Sequence, residues 1–264
     1  EIADCTEHVV IPTTVTYNGL QYEVTTMGVF GPMFSIDAQS TIKSIFISKT
    51  IQVVNMGALC DCPHLCSIVV DEENPYLDSR NDCNAIIASK DWGTQANTLI
   101  AGCQTTTIPH SVTEIGSYAF AYCDSLKHIK IPNGVTKIGN SAFYGCTSLS
   151  SIILPETLTT LSNEWVFGSC KNLKEVYFYA TTLPYIAYGV FRNLNPIIYV
   201  PAESLTAYKS ALYWQDFDIR PMDVTTSIED IHTSHSSGTK LLRDGKILII
   251  HEGKTYNIMG SLIK

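Results

Sequence analysis

The chain has 264 residues, 45% of them hydrophobic and only 16% charged, with a formal net charge of −8. That length gives one large domain, or a medium domain with a small appendage, and that composition excludes a disordered polyelectrolyte. With 17 Lys and Arg against 25 Asp and Glu, nucleic-acid binding is excluded too, because it needs clustered cations on the phosphate backbone.

No apolar run reaches the length of a membrane span. The opening Glu1-Ile2-Ala3-Asp4-Cys5 has neither a basic nor an apolar leader region, so no signal peptide is expected within it. The first clear organisation is a repeat. Residues 108–130 (IPHSVTEIGSYAFAYCDSLKHIK), 131–153 (IPNGVTKIGNSAFYGCTSLSSII) and 154–177 (LPETLTTLSNEWVFGSCKNLKEVY) share the frame I-P-x-x-V-T-x-I-G-x-x-A-F-x-x-C-x-S-L-x-x-I-x, with a period of 23 and one extra residue in the third copy. Weaker copies begin near Val24, at Ile47 and at Leu183, and an irregular unit fills residues 70–107. About seven coils are expected.

Each column of the frame has a physical role. Val112 and Ile115, Val135 and Ile138, and Leu158 and Leu161 point inward from a short extended segment. Gly116, Gly139, Asn55 and Ser162 follow in a column that suits a turn with positive φ. Ala119-Phe120 and Ala142-Phe143 fit a single helical or 3-10 turn with Phe as core plug. A second strand alternates through Leu126, Ile129 and Ile131, and Pro109, Pro132, Pro155 and Pro201 end it. One such unit cannot bury its apolar side alone, whereas stacked copies can. The fold class expected is a repeat solenoid, a right-handed superhelix of short parallel strands joined by 3-10 or short helical turns.

Nine cysteines read differently in this frame. Cys62, Cys123, Cys146 and Cys170 share one column and are expected as buried thiols, since stacked neighbours would aim their Cβ atoms in parallel. A bridge between Cys83 and Cys103, inside the irregular unit, stays open. Cys60, Cys62, His64 and Cys66 are zinc ligand types, but the frame uses Cys62 as a core position and no second knuckle follows. Asp78, Asn81, Asp82 and Asn84 lack the calcium-loop pattern and suit Asx turns. His232 and His235 have no third ligand nearby. No nucleotide-binding, hydrolase-elbow or metalloprotease string occurs. No metal, no cofactor and no enzyme activity are expected.

Towards the end, Leu205, Tyr208 and Leu212 have helical spacing behind Ser204, a candidate N-cap, which places a helical cap over about 202–214. The domains expected are a solenoid over 1–222, a Ser/Thr-rich linker over 223–239, and a small C-terminal β-hairpin module over 240–264 turned at Asp244-Gly245 and Glu252-Gly253.

The frame in residues 108–177, the irregular unit with Asn74-Pro75 and Cys83-Asn84-Ala85-Ile86-Ile87, and the ending Tyr199-Val200-Pro201-Ala202 resemble the BspA-like leucine-rich-repeat family. The resemblance spans roughly residues 20–220. It implies a secreted or surface protein of Bacteroides-type, Gram-negative bacteria, and for some members adhesion to host proteins or other cells. It carries no shared catalytic residues. The tail resembles a C-terminal module of such secreted proteins, akin to a sorting domain.

If Ile129 and Ile131 face inward, the residue between them faces out. That outward column reads Phe46, Val69, Thr107, Lys130, Ile153, Tyr177 and Tyr199, beside the flanking column Ser44, Ser67, Thr105, His128, Ser151, Glu175 and Ile197. Residues 177–217 hold eleven of the 26 aromatics, adding Tyr179, Tyr185 and Tyr188 as candidates. Two readings stand side by side: cross-strand pairs that steady a sheet, or an exposed apolar stripe that receives a partner. The function expected is a non-enzymatic surface interaction protein, monomeric and with a protein ligand. The alternative is a glycan-capturing or purely structural module.

Overall fold

The computed structural model describes residues 7–28, 41–60, 62–88, 96–161 and 165–222, and beyond them the strands Thr239–Arg243, Lys246–His251 and Lys254–Asn257. Short parallel strands stack into a solenoid of about eight turns. One face carries His8–Ile11, Ser44–Ile47 and Ser67–Val70 in a three-stranded parallel sheet. Further along, Ser151–Leu154, Glu175–Phe178, Ile197–Val200 and Asp218–Pro221 form a four-stranded one. Inward residues alternate with outward ones, so Ile152 and Leu154, Val176 and Phe178, and Ile198 and Val200 are all buried. Two rungs exceed the seven-coil reading, His8–Ile11 at the start and Asp218–Pro221 at the end.

The second strand column is shorter. Glu114–Ile115, Lys137–Ile138, Thr160–Leu161 and Tyr185–Ile186 pair in register within a seven-stranded sheet. Between the two columns the chain makes chained turns rather than a continuous helix: Ala119 N–H donates to Gly116 O, Ala121 N–H to Tyr118 O and Cys123 N–H to Phe120 O. Residues between those turns bond to the next coil, Phe120 N–H to Ala142 O at 2.8 Å and Tyr122 N–H to Tyr144 O at 2.7 Å. Tyr118, Tyr122, Ser141, Trp165 and Ser169 take positive φ to achieve this. Within the turns, Phe120, Phe143, Phe167 and Phe191 stack face to face at 5.2–5.6 Å.

The glycine column works for another reason than the one expected. Gly116 and Gly139 are not in the left-handed region. A Cβ on Gly116 would lie 2.9 Å from Leu99 O, and one on Gly139 would lie 2.6 Å from Ser117 N. Close approach of one coil's backbone to the next is what excludes a side chain here. Asn55 uses its side chain instead, donating from Nδ2 to Gly28 O. Ser162 lies outside the described residues, as do His232, His235 and the turn residues Asp244-Gly245 and Glu252-Gly253.

Two excursions interrupt the stack. Thr14–Tyr17 and Leu20–Glu23 form an exposed antiparallel hairpin through Asn18 and Gly19, both at positive φ. The second is the irregular unit, whose strands Leu77–Asp78, Ala85–Ala88 and Thr98–Gly102 pair antiparallel. Ala85–Ala88 is buried on both faces. Ala85 and Ile87 join the core that runs to Ile219, while Ile86 joins the core that runs back to Val9. This strand is therefore a wall between two cores. Buried Asn74 anchors the excursion, donating to Ser48 O and Ile51 O and accepting from Tyr76 N and Leu77 N. Asp78 makes the Asx turn expected, accepting from Arg80 N–H, whereas Asn81, Asp82 and Asn84 contribute positive φ.

At the far end, Ala202–Ser204 is a 3-10 turn leading into the α-helix Leu205–Ser210. Ser204 does not cap the helix; its Oγ donates to Thr181 O one coil earlier. Leu212 lies beyond the helix and is 68% exposed, and the ladder continues past it to Pro221. Helical spacing failed there because Ala211 turns extended after only six helical residues. Tyr208 and Trp214 are the buried anchors, both packed on Phe178. Tyr208 donates its hydroxyl to Ala180 O at 2.8 Å. Tyr208→Phe is expected to cost roughly 1 kcal/mol, measured by denaturant unfolding. Thr239–Arg243, Lys246–His251 and Lys254–Asn257 pair as an antiparallel three-stranded sheet.

Candidate functional site

The outward column exists in the register expected, but in two pieces. Val10, Phe46 and Val69 are partners across one sheet. Ile153, Tyr177, Tyr199 and Arg220 are partners across the other, with Lys130 bridged to Ile153. The irregular unit lies between the two pieces, where Thr107 N–H donates to Cys83 O instead of continuing the strand. Val10 is 66% and Val69 45% exposed, whereas Phe46, Ile153, Tyr177 and Tyr199 are half-buried by neighbouring rungs.

Tyr177 and Tyr199 lie ring on ring at 4.7 Å, nearly parallel. Both hydroxyls donate to Glu175, at 3.1 and 3.4 Å, so one carboxylate clamps the pair. Burial, then the Glu175 charge, pushes the Tyr177 hydroxyl well above its ordinary pKa. Lys130 is displaced the other way, its pKa lowered by partial loss of solvent around it. Tyr185 and Tyr188 do not gather with the stripe, whereas Tyr179 lies near enough to Tyr177 to act on its hydroxyl. Tyr179 is partly buried and pushed up to about 12 by that burial. Tyr185 stands in the second strand column, and Tyr188 (80% exposed) sits on the turns beside Tyr213.

The turns carry an aromatic ladder that the repeat frame conceals. Tyr122, Tyr144 and Trp165 follow one another at 5.3 and 5.8 Å, and Arg192 covers the Trp165 ring at 4.6 Å. Each ring overlies a glycine of the next coil: Cβ atoms on Gly145 and Gly168 would meet Tyr122 and Tyr144 at 2.9 Å, and one on Gly189 would meet Trp165 at 3.6 Å. The signal was present in the sequence as an aromatic followed by glycine 23 or 24 residues later. It escapes column reading because the three rings occupy three different columns.

None of the eight described cysteines forms a disulfide. Cys83 donates to Ala85 O and Cys103 to Asn84 O, so these two are not bridged. Burial raises the Cys83 thiol to about 11. Cys62 donates to Cys60 O and Cys66 to Lys43 O. Among the described residues no group of His, Cys, Asp or Glu is arranged to hold a metal ion, and no helix is long and apolar enough to cross a membrane.

A groove of about 430 Å³ opens beside the stripe, lined by Lys127, His128, Ser148, Ser150, Asn172 and Lys174.

Stacked parallel rungs, one per repeat, with aliphatic residues filling the interior, define a leucine-rich-repeat solenoid. Residues 99–220 match the BspA type leucine rich repeat region in six copies, and this stretch of the chain is such a region. No curated protein matches the chain. Among solved structures, a leucine-rich repeat protein from Eubacterium ventriosum is 27% identical over 62% of this chain and 44% of its own, with a TM-score of 0.48. A leucine-rich repeat protein from Bacteroides ovatus is 24% identical over 73% and 42%, with a TM-score of 0.34. A leucine rich cell surface protein from Faecalibacterium prausnitzii is 14% identical over 76% and 90%, with a TM-score of 0.31. The chain thus spans less than half the length of the first two.

Proposed function

We propose that the chain is a non-enzymatic bacterial surface or secreted interaction protein whose outward strand column receives a protein ligand. The observation that carries this reading is the Tyr177–Tyr199 pair. Glu175 fixes both rings on a rigid sheet, half-exposed, with Ile153 beside them and Arg220 beyond. Aromatic anchors held in place before binding lose little entropy when a partner arrives. Placement outside the cell, adhesion to host proteins and the division into solenoid, linker and C-terminal module belong to the same proposal, and rest on the family resemblance and the repeat boundaries.

The test is a Tyr177→Ala/Tyr199→Ala double variant, probed with the parent chain on an array of extracellular-matrix proteins and glycans. The parent is expected to bind at least one protein on the array, and the variant to lose about 2 kcal/mol or more of that binding while melting cooperatively. A folded variant that binds undiminished overturns the proposal, as does a parent that binds glycans alone.

A further inference from the structure

Among the described residues of this acidic chain, four lysines without a carboxylate partner lie together. Lys43, Lys49, Arg80, Lys137 and Arg220 each pair with a carboxylate. Of the solenoid's other described cations, Arg192 covers Trp165 and Lys209 sits on the terminal helix. The remaining four, Lys127, Lys130, Lys171 and Lys174, have no carboxylate partner among the described residues and are exposed on or beside the same groove. The register brings them there. Lys174 N–H donates to Ser150 O and Asn172 Nδ2 to Thr147 O, which lays the turn before Glu175 directly on the turn before Ser151. Lys127 and His128 stand one coil earlier, against Ser148 and Ser150.

Two acids neighbour these lysines in sequence, and both are held by hydrogen bonds from hydroxyls. Asp124 accepts from Thr147 Oγ1 at 3.2 Å, and Glu175 accepts from Tyr177 and Tyr199. The groove's lining offers the ammonium groups of Lys127 and Lys174 on coils either side of Ser148 and Ser150, together with His128 and Asn172.

We propose that this groove binds an acidic polysaccharide, its carboxylate or sulfate groups on Lys127 and Lys174 and its hydroxyls on Ser148, Ser150 and Asn172. A polyanion that also carries hydroxyls fits better than one whose backbone is phosphate. Duplex nucleic acid carries about one charge per 1.7 Å, and would set most of its phosphates against a molecule of net charge −8. A lining of hydroxyls, one amide and two lysines matches a chain whose acidic groups are carried on hydroxylated rings.

The experiment applies the whole chain to immobilised heparin, polygalacturonate, neutral dextran, poly-glutamate and duplex DNA over a salt gradient. Retention is expected on heparin or polygalacturonate, falling as salt screens the ammonium groups, with little on the other three. Heparin alone would identify sulfate as the recognised group, and polygalacturonate alone the carboxylate. Lys127→Ala/Lys174→Ala is expected to weaken binding about tenfold or more. Lys137→Ala, which removes a charge already paired with Glu114, is expected to leave it unchanged. The proposal fails if neither acidic polysaccharide is retained, if DNA or poly-glutamate binds as tightly, or if the double variant behaves as the parent. Its failure leaves the tyrosine stripe untouched, because that test removes no lysine.

Discussion

Phe143→Ala is expected to lower stability by about 3–5 kcal/mol, among the largest costs of any single truncation in this chain. The Phe143 ring is fully buried between Phe120 at 5.2 Å and Phe167 at 5.6 Å, nearly parallel to both. Removing it loses the transfer energy of the ring and both stacking contacts. The space left cannot close, because Phe120 N–H to Ala142 O and Phe143 N–H to Val166 O hold the coils at fixed separation. For a chain of this size each kcal/mol moves the melting temperature by about 2–4 °C, so a fall of roughly 10 °C is expected. Each coil touches only its neighbours, so the transition should also broaden as the two halves lose cooperation. Thermal unfolding followed by near-UV circular dichroism measures both. A loss below about 1 kcal/mol would show that neighbouring coils can collapse into the gap.

Gly139→Ala is expected to cost about 3 kcal/mol, at the upper end of overpacking penalties. The added Cβ would stand 2.6 Å from Ser117 N, 2.8 Å from Gly116 C and 2.9 Å from Ser117 Cα, all backbone atoms of the preceding coil. No rotamer relieves this. The coils must separate, at the expense of the 2.8 Å bond from Gly139 N–H to Ile115 O. Gly19→Ala is the control: φ is +77°, yet no atom lies within 4 Å of the new Cβ. It is expected to cost only about 1–2 kcal/mol, from backbone conformation alone. Denaturant unfolding of both variants decides the matter; a cost at Gly139 no larger than at Gly19 would mean that the coils can separate around the added Cβ and that their spacing does not exclude it.

The glycine column shows where sequence reading reaches its limit. Periodicity identifies a position that must be special, but whether φ or the approach of a second coil makes it so depends on packing. Burial was more legible. Val112, Ile115, Val135, Ile138, Leu158 and Leu161 are all buried as the frame requires. Ser151–Leu154 and Ile197–Val200 stop just before Pro155 and Pro201. The end rungs were missed although they carry the same short signal, since Val9-Val10-Ile11-Pro12 and Ile219-Arg220-Pro221 also close a strand with proline. Asn18-Gly19, a strong hairpin signal between Thr14–Tyr17 and Leu20–Glu23, was likewise available. The tyrosine stripe could be read because strand alternation has period two. The groove could not, because its lysines come from turns and skip a rung at Ser150.

The thiol column has a consequence for how the molecule matures. Cys123 Sγ donates to Gly102 O, Cys146 Sγ to Phe120 O at 3.1 Å and Cys170 Sγ to Phe143 O at 3.0 Å, each reaching a carbonyl of the coil before. Sulfur here does the work of a hydroxyl, tying turn to turn, and the neighbouring Cys170, followed by burial, raises the Cys146 pKa far from thiolate. Such a stack is indifferent to the oxidant outside it. The array can reach its final form without oxidases or isomerases to sort partners, and lengthen coil by coil without any new sulfur needing a mate.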